Sequence, residues 1–155
     1  MTRINVVPPQ ELTTKHLVAE YREITRLPTN LKVALNRKGK KFNTTEIPSE
    51  YVLGKGHVKF FFDKMLFLKK RFESLVDEML NRGYNPTYRD SNIFVVDQQF
   101  MNDYAPTMDA LRINRQRIDD RLNGRWYGKR NWKVQTKERR NFKGMLATFR
   151  VYVGG

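Results

Sequence analysis

The chain has 155 residues, enough for one domain with a single core and too few for two independent ones. Thirty Lys and Arg against sixteen Asp and Glu give a formal net charge of +14, an excess that points to a polyanion. Nucleic acid is the commonest such partner, with an anionic membrane surface or a ribosomal setting as alternatives. The lack of cysteine excludes disulfides, thiolate chemistry and zinc ribbons and suits a reducing interior, and His16 and His57 are too few for a histidine-rich metal cluster. No apolar run approaches the roughly 20 residues of a membrane span, and no signal pattern opens the chain, so a cytoplasmic location off the membrane is expected.

The start reads Met1-Thr2-Arg3-Ile4-Asn5. A small residue at position 2 lets methionine aminopeptidase remove Met1 and free the α-amine of Thr2. Such an amine has a reference pKa of about 7.7 to 8.0, so roughly a tenth of it is neutral at pH 7, far more than of a lysine. A neutral amine can attack an electrophilic carbon; taken alone, Thr2 also reads simply as the place where the chain starts.

Residues 3 to 12 contain Pro8-Pro9 and predict an extended arm, since neither proline fits a helix interior. Thr13 or Thr14 caps a helix running to about Leu27, with Leu17, Val18, Tyr21 and Ile24 as its apolar stripe. Pro28 ends or bends it, and Leu31 to Leu35 can carry helix further. At about 100° per residue, His16, Glu23 and Arg26 fall within roughly 80° of one another, with Arg22 about 40° beyond Arg26. Acid and base share one polar face.

Residues 36 to 41 form a basic loop, read equally as a solvated charge run or a phosphate clamp. Gly54-Lys55-Gly56-His57 is a second basic turn that lacks the features of a phosphate-binding loop, and His57 reads as a structural, hydrogen-bonded histidine. Phe60 to about Arg82 predicts a helix with Met65, Leu68, Phe72, Leu75, Val76, Met79 and Leu80 on its core face, Lys69, Lys70 and Arg71 on or near the other, and Gly83 as the stop. Residues 84 to 105 read as loop, interrupted by an extended or buried segment at Ile93-Phe94-Val95-Val96.

A third helix is expected from Thr107 to Leu122, its apolar side made by Met108, Leu111, Ile118 and Leu122 and its remainder basic with Arg112, Arg115, Arg117 and Arg121. Beyond Gly124, aromatics interleave with cations in Trp126-Tyr127-Gly128-Lys129-Arg130-Asn131-Trp132-Lys133. Stacking on bases with phosphate pairing uses such a pattern, and so does packing of a tail on the body. Met145 to Val153 alternates as a short strand does. The fold class expected is all-α: a compact single domain of three main helices with an extended N-terminal arm and long loops, the helical domain over 1–125 and a basic aromatic extension over 126–155.

Thr2-Arg3-Ile4-Asn5, Glu11-Leu12, His16-Leu17, Ala19-Glu20-Tyr21-Arg22-Glu23 and Arg26, then Leu53-Gly54, Gly56-His57-Val58, Phe60-Phe61, Asp63-Lys64, Phe67-Leu68, Lys70-Arg71 and Arg82-Gly83, resemble the bacteriophage pyrimidine-dimer DNA glycosylases of the endonuclease V type. The likeness weakens in the middle loop and returns around Arg117-Ile118-Asp119-Asp120-Arg121. The resemblance implies a three-helix protein whose arm threads between helices and brings the Thr2 amine beside Glu23. It implies a glycosylase and abasic-site lyase acting on ultraviolet-damaged double-stranded DNA, with Thr2 and Glu23 catalytic. Arg3, Arg22 and Arg26 would hold phosphates and Arg117 and Arg121 would make outer contacts. His16 belongs to the same DNA-facing set, and Lys15 stands where the family has glutamine, near the dimer, adding a phosphate-seeking charge. Trp126 and Tyr127 belong to a shortened form of an aromatic segment that the family uses in dimer recognition. A monomer requiring no metal and no cofactor is implied.

Two rival readings compete with this one. A non-catalytic basic nucleic-acid-binding protein explains the charge but leaves Glu23 idle inside a phosphate-facing cluster. A metal-dependent nuclease needs clustered carboxylates, and Glu20 and Glu23, three residues apart, are flanked by arginines, with Glu20 expected to cap or pair.

Overall fold

Residues 3–37 and 42–124 are described by the computed structural model. The residue Thr2, the aromatic pair Trp126 and Tyr127 and the strand expected at 145–153 lie outside them.

The arm runs without helix from Arg3 to Pro8, bending at Val7, then makes a 3₁₀ turn at Pro9–Glu11. Pro9 takes the first position of that turn, where its missing N–H leaves no hydrogen bond unmade. Helix α1 (Thr14–Ile24) is capped by Thr13, whose hydroxyl accepts from the His16 N–H. Helix α2 (Arg26–Leu35) follows after the single residue Thr25. The break therefore falls ahead of Leu27. Its cause is Pro28, whose ring collides in a continuous helix with the carbonyl four residues back, at Ile24, the last residue of α1. Within α2, Pro28 occupies the first turn, where N–H groups have no helical partner in any case.

A short helix α3 (His57–Phe60) begins after Gly56, which adopts φ 91° and so needs glycine. Helix α4 (Met65–Asn81) is the central element, burying Met65, Leu68, Phe72, Leu75, Val76 and Met79. It ends in a Schellman motif: the Tyr84 N–H donates to Met79 O and the Gly83 N–H to Leu80 O, with Gly83 left-handed at φ 85°. Three expectations for α4 need correction, the first being its start, which is Met65 and not Phe60 because residues 61–64 turn between two helices. Leu80 is 40% exposed, and Arg71 is buried, because it lies three residues after Leu68 and four before Leu75 on the buried stripe.

At 91–96 the chain makes a 3₁₀ turn, Ser91–Phe94, started by the Asp90 carboxylate accepting from the Asn92 N–H. Phe94 is buried against Phe72, and Val95 is extended and exposed. Helix α5 (Met108–Leu122) is capped by the Thr107 hydroxyl, which accepts from the Ala110 N–H. Its expected apolar side also needs correction. Met108 and Leu122 are 87% and 56% exposed, whereas Ala110 and Asn114 are the buried positions. Met108 and Leu122 sit at the two ends of the helix, where burial is least, and the inward position at 114 is polar.

The class is all-α, with no strand among the described residues, only an isolated bridge between Lys64 and Met101. The chain divides into two compact units, Met1–Ala110 and Leu111–Gly155. In the first, α1 packs on α4, and an aromatic cluster of Tyr51, Phe60, Phe61, Phe67 and Tyr104 meets mainly edge to face. None of the described helices is long and apolar enough to cross a membrane.

Candidate active site

An extended segment buried in a helical protein has no neighbouring strand to take its backbone donors and acceptors, yet each one left unpaired is costly. Here side chains from the surrounding elements take that role. The Ile4 N–H donates to His57 Nε2 at 2.8 Å, and the Ile4 carbonyl accepts from the Tyr51 hydroxyl at 3.0 Å. The Asn5 N–H donates to Glu20 Oε1 and its carboxamide nitrogen to Glu20 Oε2, both at 3.0 Å. Arg71 Nη1 donates to Val7 O, and Arg82 Nη2 reaches the carbonyls of Pro9 at 3.3 Å and Gln10 at 3.4 Å. Ile4 and Val7 are fully buried as a result.

At the front of the arm, the Arg3 N–H donates to Glu23 Oε2 at 2.8 Å. That bond ties the α1 carboxylate to the backbone one peptide link from Thr2.

The two α1 carboxylates differ in what they have left to offer. Glu20 is 1% exposed, and its oxygens already accept from Asn5 and from Arg71 Nε and Nη2, the last two at 3.0 Å each. Its lone pairs are committed to structure, in line with the expectation that it pairs. Glu23 is half-buried, on the side of α1 that faces the start of the arm. A half-buried carboxylate with one oxygen fixed by a backbone N–H is oriented and still within reach of a ligand.

The basic residues read from the sequence fall into three groups. Lys15, Arg22 and Arg26 are exposed, on α1 and at the first position of α2; Arg22, in the last turn of α1, also complements the helix dipole. Arg3 and His16 are half-buried. Arg117 and Arg121 lie on α5 in the second unit.

Periodicity marked none of Tyr51, His57 and Arg71 as partners of the arm's backbone. A signal existed for one pair: Glu20 falls between Leu17 and Ile24 on the buried stripe of α1, and Arg71 between Leu68 and Leu75 on that of α4. Two opposite charges on two facing apolar stripes point to each other. Residues 1–92 match the family model described as pyrimidine dimer DNA glycosylase.

Proposed function

The chain belongs to the pyrimidine dimer DNA glycosylase family, and from that premise we propose that the Thr2 α-amine and Glu23 form a bifunctional site that removes a base and then cuts the strand. The observation that carries this reading is the 2.8 Å bond from the Arg3 N–H to Glu23 Oε2. With Met1 removed, the α-amine of Thr2 is three covalent bonds from that nitrogen, and this short link supports a reading in which amine and carboxylate act together.

In the proposed reaction the neutral amine attacks C1′ of the deoxyribose bearing the 5′ pyrimidine of a cyclobutane dimer. The C1′–N bond breaks with its electron pair leaving on the base, which takes a proton from solvent, while Glu23 stabilises the positive charge developing on the sugar. Transfer of the amine proton to O4′ as the C1′–O4′ bond breaks opens the ring and gives a protonated imine. Glu23 then takes a C2′ proton, and β-elimination expels the 3′ phosphate. Water finally releases the protein from the imine.

Arg3, Lys15, His16, Arg22 and Arg26, with Arg117, Arg121, Trp126 and Tyr127, make up the DNA-contacting set in this reading. The exposure of Lys15, Arg22 and Arg26 and the net charge of +14 support it. The substrate is duplex DNA carrying dimers or abasic sites. Reaching C1′ requires opening the duplex, at a cost of about a few kcal/mol that a damaged step reduces. The protein acts as a monomer of bacteriophage type in the host cytoplasm, with residues 126–155 as a basic extension of the helical domain.

The test is incubation with an abasic-site duplex in EDTA followed by borohydride. A covalent adduct mapped to Thr2 is expected; a protein that binds the duplex and yields no adduct is a binding protein, and the amine mechanism is then wrong.

A further inference from the structure

His57 is buried at 3% exposure and both of its ring nitrogens are engaged, Nε2 by the Ile4 N–H at 2.8 Å and Nδ1 with Val52 O at 2.7 Å. A carbonyl can only accept, so Nδ1 carries the proton. A backbone N–H can only donate, so Nε2 is bare. The ring is therefore a neutral Nδ1–H imidazole bridging two backbone groups, with no nitrogen left for substrate or for proton transfer.

Tyr51 completes the device. Its ring meets the His57 ring edge-on at 5.4 Å, and its hydroxyl donates to the carbonyl of the same Ile4 whose N–H the histidine holds. Ile4 is thus gripped at both its donor and its acceptor, next to Arg3, whose own N–H is on Glu23. The grip stands on a rigid base, since Tyr51 packs edge-on against Phe60 and Phe61, and Gly56, just before His57, could not take a Cβ without pressing on Pro48 at 3.2 Å.

We propose that His57 and Tyr51 are positioning residues for the imine-forming step: they fix the arm at Ile4 so that the Thr2 amine, two residues ahead, meets the sugar carbon at attacking distance. The proposal rests on the Thr2 reading above. A nucleophile displaced by about 1 Å can lose on the order of a hundredfold in rate without losing binding energy. Neither side chain is needed to hold DNA, so the defect on removing them lies in the covalent step.

The experiment measures two quantities for wild type, Tyr51→Phe, His57→Ala and His57→Gln, each checked for helical content: the affinity for an abasic-site duplex, and the single-turnover rate of borohydride-trapped adduct at saturating protein. The rate is expected to fall about tenfold or more in His57→Ala and several-fold in Tyr51→Phe, with affinity within about twofold of wild type. His57→Gln, whose carboxamide offers one acceptor and one donor, is expected to recover much of the rate. Wild-type adduct rates in folded Tyr51→Phe and His57→Ala overturn the proposal, as does a parallel loss of affinity and rate, which a purely structural role produces. Should His57→Ala fail to fold, Tyr51→Phe decides, because it removes one oxygen and keeps the ring. A wild-type protein that yields no Thr2 adduct instead sinks the amine reading itself, and this outcome is read before any variant.

Discussion

Arg71 of α4 and Glu20 of α1 meet in a two-pronged ion pair, Nε to Oε1 and Nη2 to Oε2 at 3.0 Å each, with 6% and 1% of their side chains exposed. Each partner has a second duty toward the arm, Glu20 to Asn5 and Arg71 to Val7. Replacing one partner strands the other charge in the core. Arg71→Leu is therefore expected to cost about 3–5 kcal/mol. Urea denaturation checks this as a lower midpoint at unchanged slope; a loss under about 1 kcal/mol would refute the assigned role.

Glu20 and Glu23 separate in what they lose. Glu20→Gln is expected to lower stability, since a neutral carboxamide cannot serve Asn5 and Arg71 together. Glu23→Gln keeps an oxygen for the Arg3 N–H and should change stability by less than about 1 kcal/mol while abolishing strand cutting. Damaged-duplex binding by Glu23→Gln should persist. Cutting at the wild-type rate removes Glu23 from the chemistry.

Two glycines differ in the space around them. Gly83 has φ 85° and no neighbour near its missing Cβ, so Gly83→Ala is expected to cost only the left-handed backbone penalty of about 1–2 kcal/mol. Gly56 has φ 91° and Pro48 Cγ at 3.2 Å, and it leads directly into His57. Gly56→Ala should cost more than Gly83→Ala in thermal unfolding; the reverse order would contradict the packing.

Glu73 on α4 accepts from the Ser91 hydroxyl at 2.7 Å and from Lys69 at 3.0 Å. These contacts, the serine first, hold its carboxyl below the usual glutamate range. A lowered native value means that the stabilisation is present above the unfolded-state value and is lost as pH falls through the native one. Because Glu73 is exposed, the energy involved is small. Ser91→Ala should raise its titration midpoint toward the ordinary value, as followed by NMR; an unchanged midpoint would leave the serine without effect.

Salt offers a check on the basic surface. If Arg22 and Arg26 each neutralise a phosphate, replacing either by alanine reduces the slope of log affinity against log salt by about 0.9. An unchanged slope takes that arginine off the DNA.

The core face and end of helix α4 are legible because its apolar stripe and its glycine stop agree, and the polar face of α1 is legible because His16, Glu23 and Arg26 fall close together at helical spacing. The α1–α2 break falls earlier than Pro28 because proline acts on the carbonyl four residues behind it rather than at its own position. The apolar side of α5 departs from its sequence pattern because Met108 and Leu122 lie at the helix ends and small or polar residues, Ala110 and Asn114, are the buried ones. Most of the arm's partners were beyond local pattern altogether. Glu20 and Arg71 are 51 residues apart, and no periodicity couples a histidine at 57 to the backbone at 4.

The grips on the arm also set a schedule. Ile4 waits for partners 47 and 53 residues downstream, Val7 for one 64 away, and Pro9 for one 73 away. A chain ending before α4 lacks the Arg71 and Arg82 that hold Val7 and Pro9, so the arm is seated only once that helix and the residue after it are in place. Placement of the arm therefore depends on residues from across the first 82 positions rather than on its own sequence.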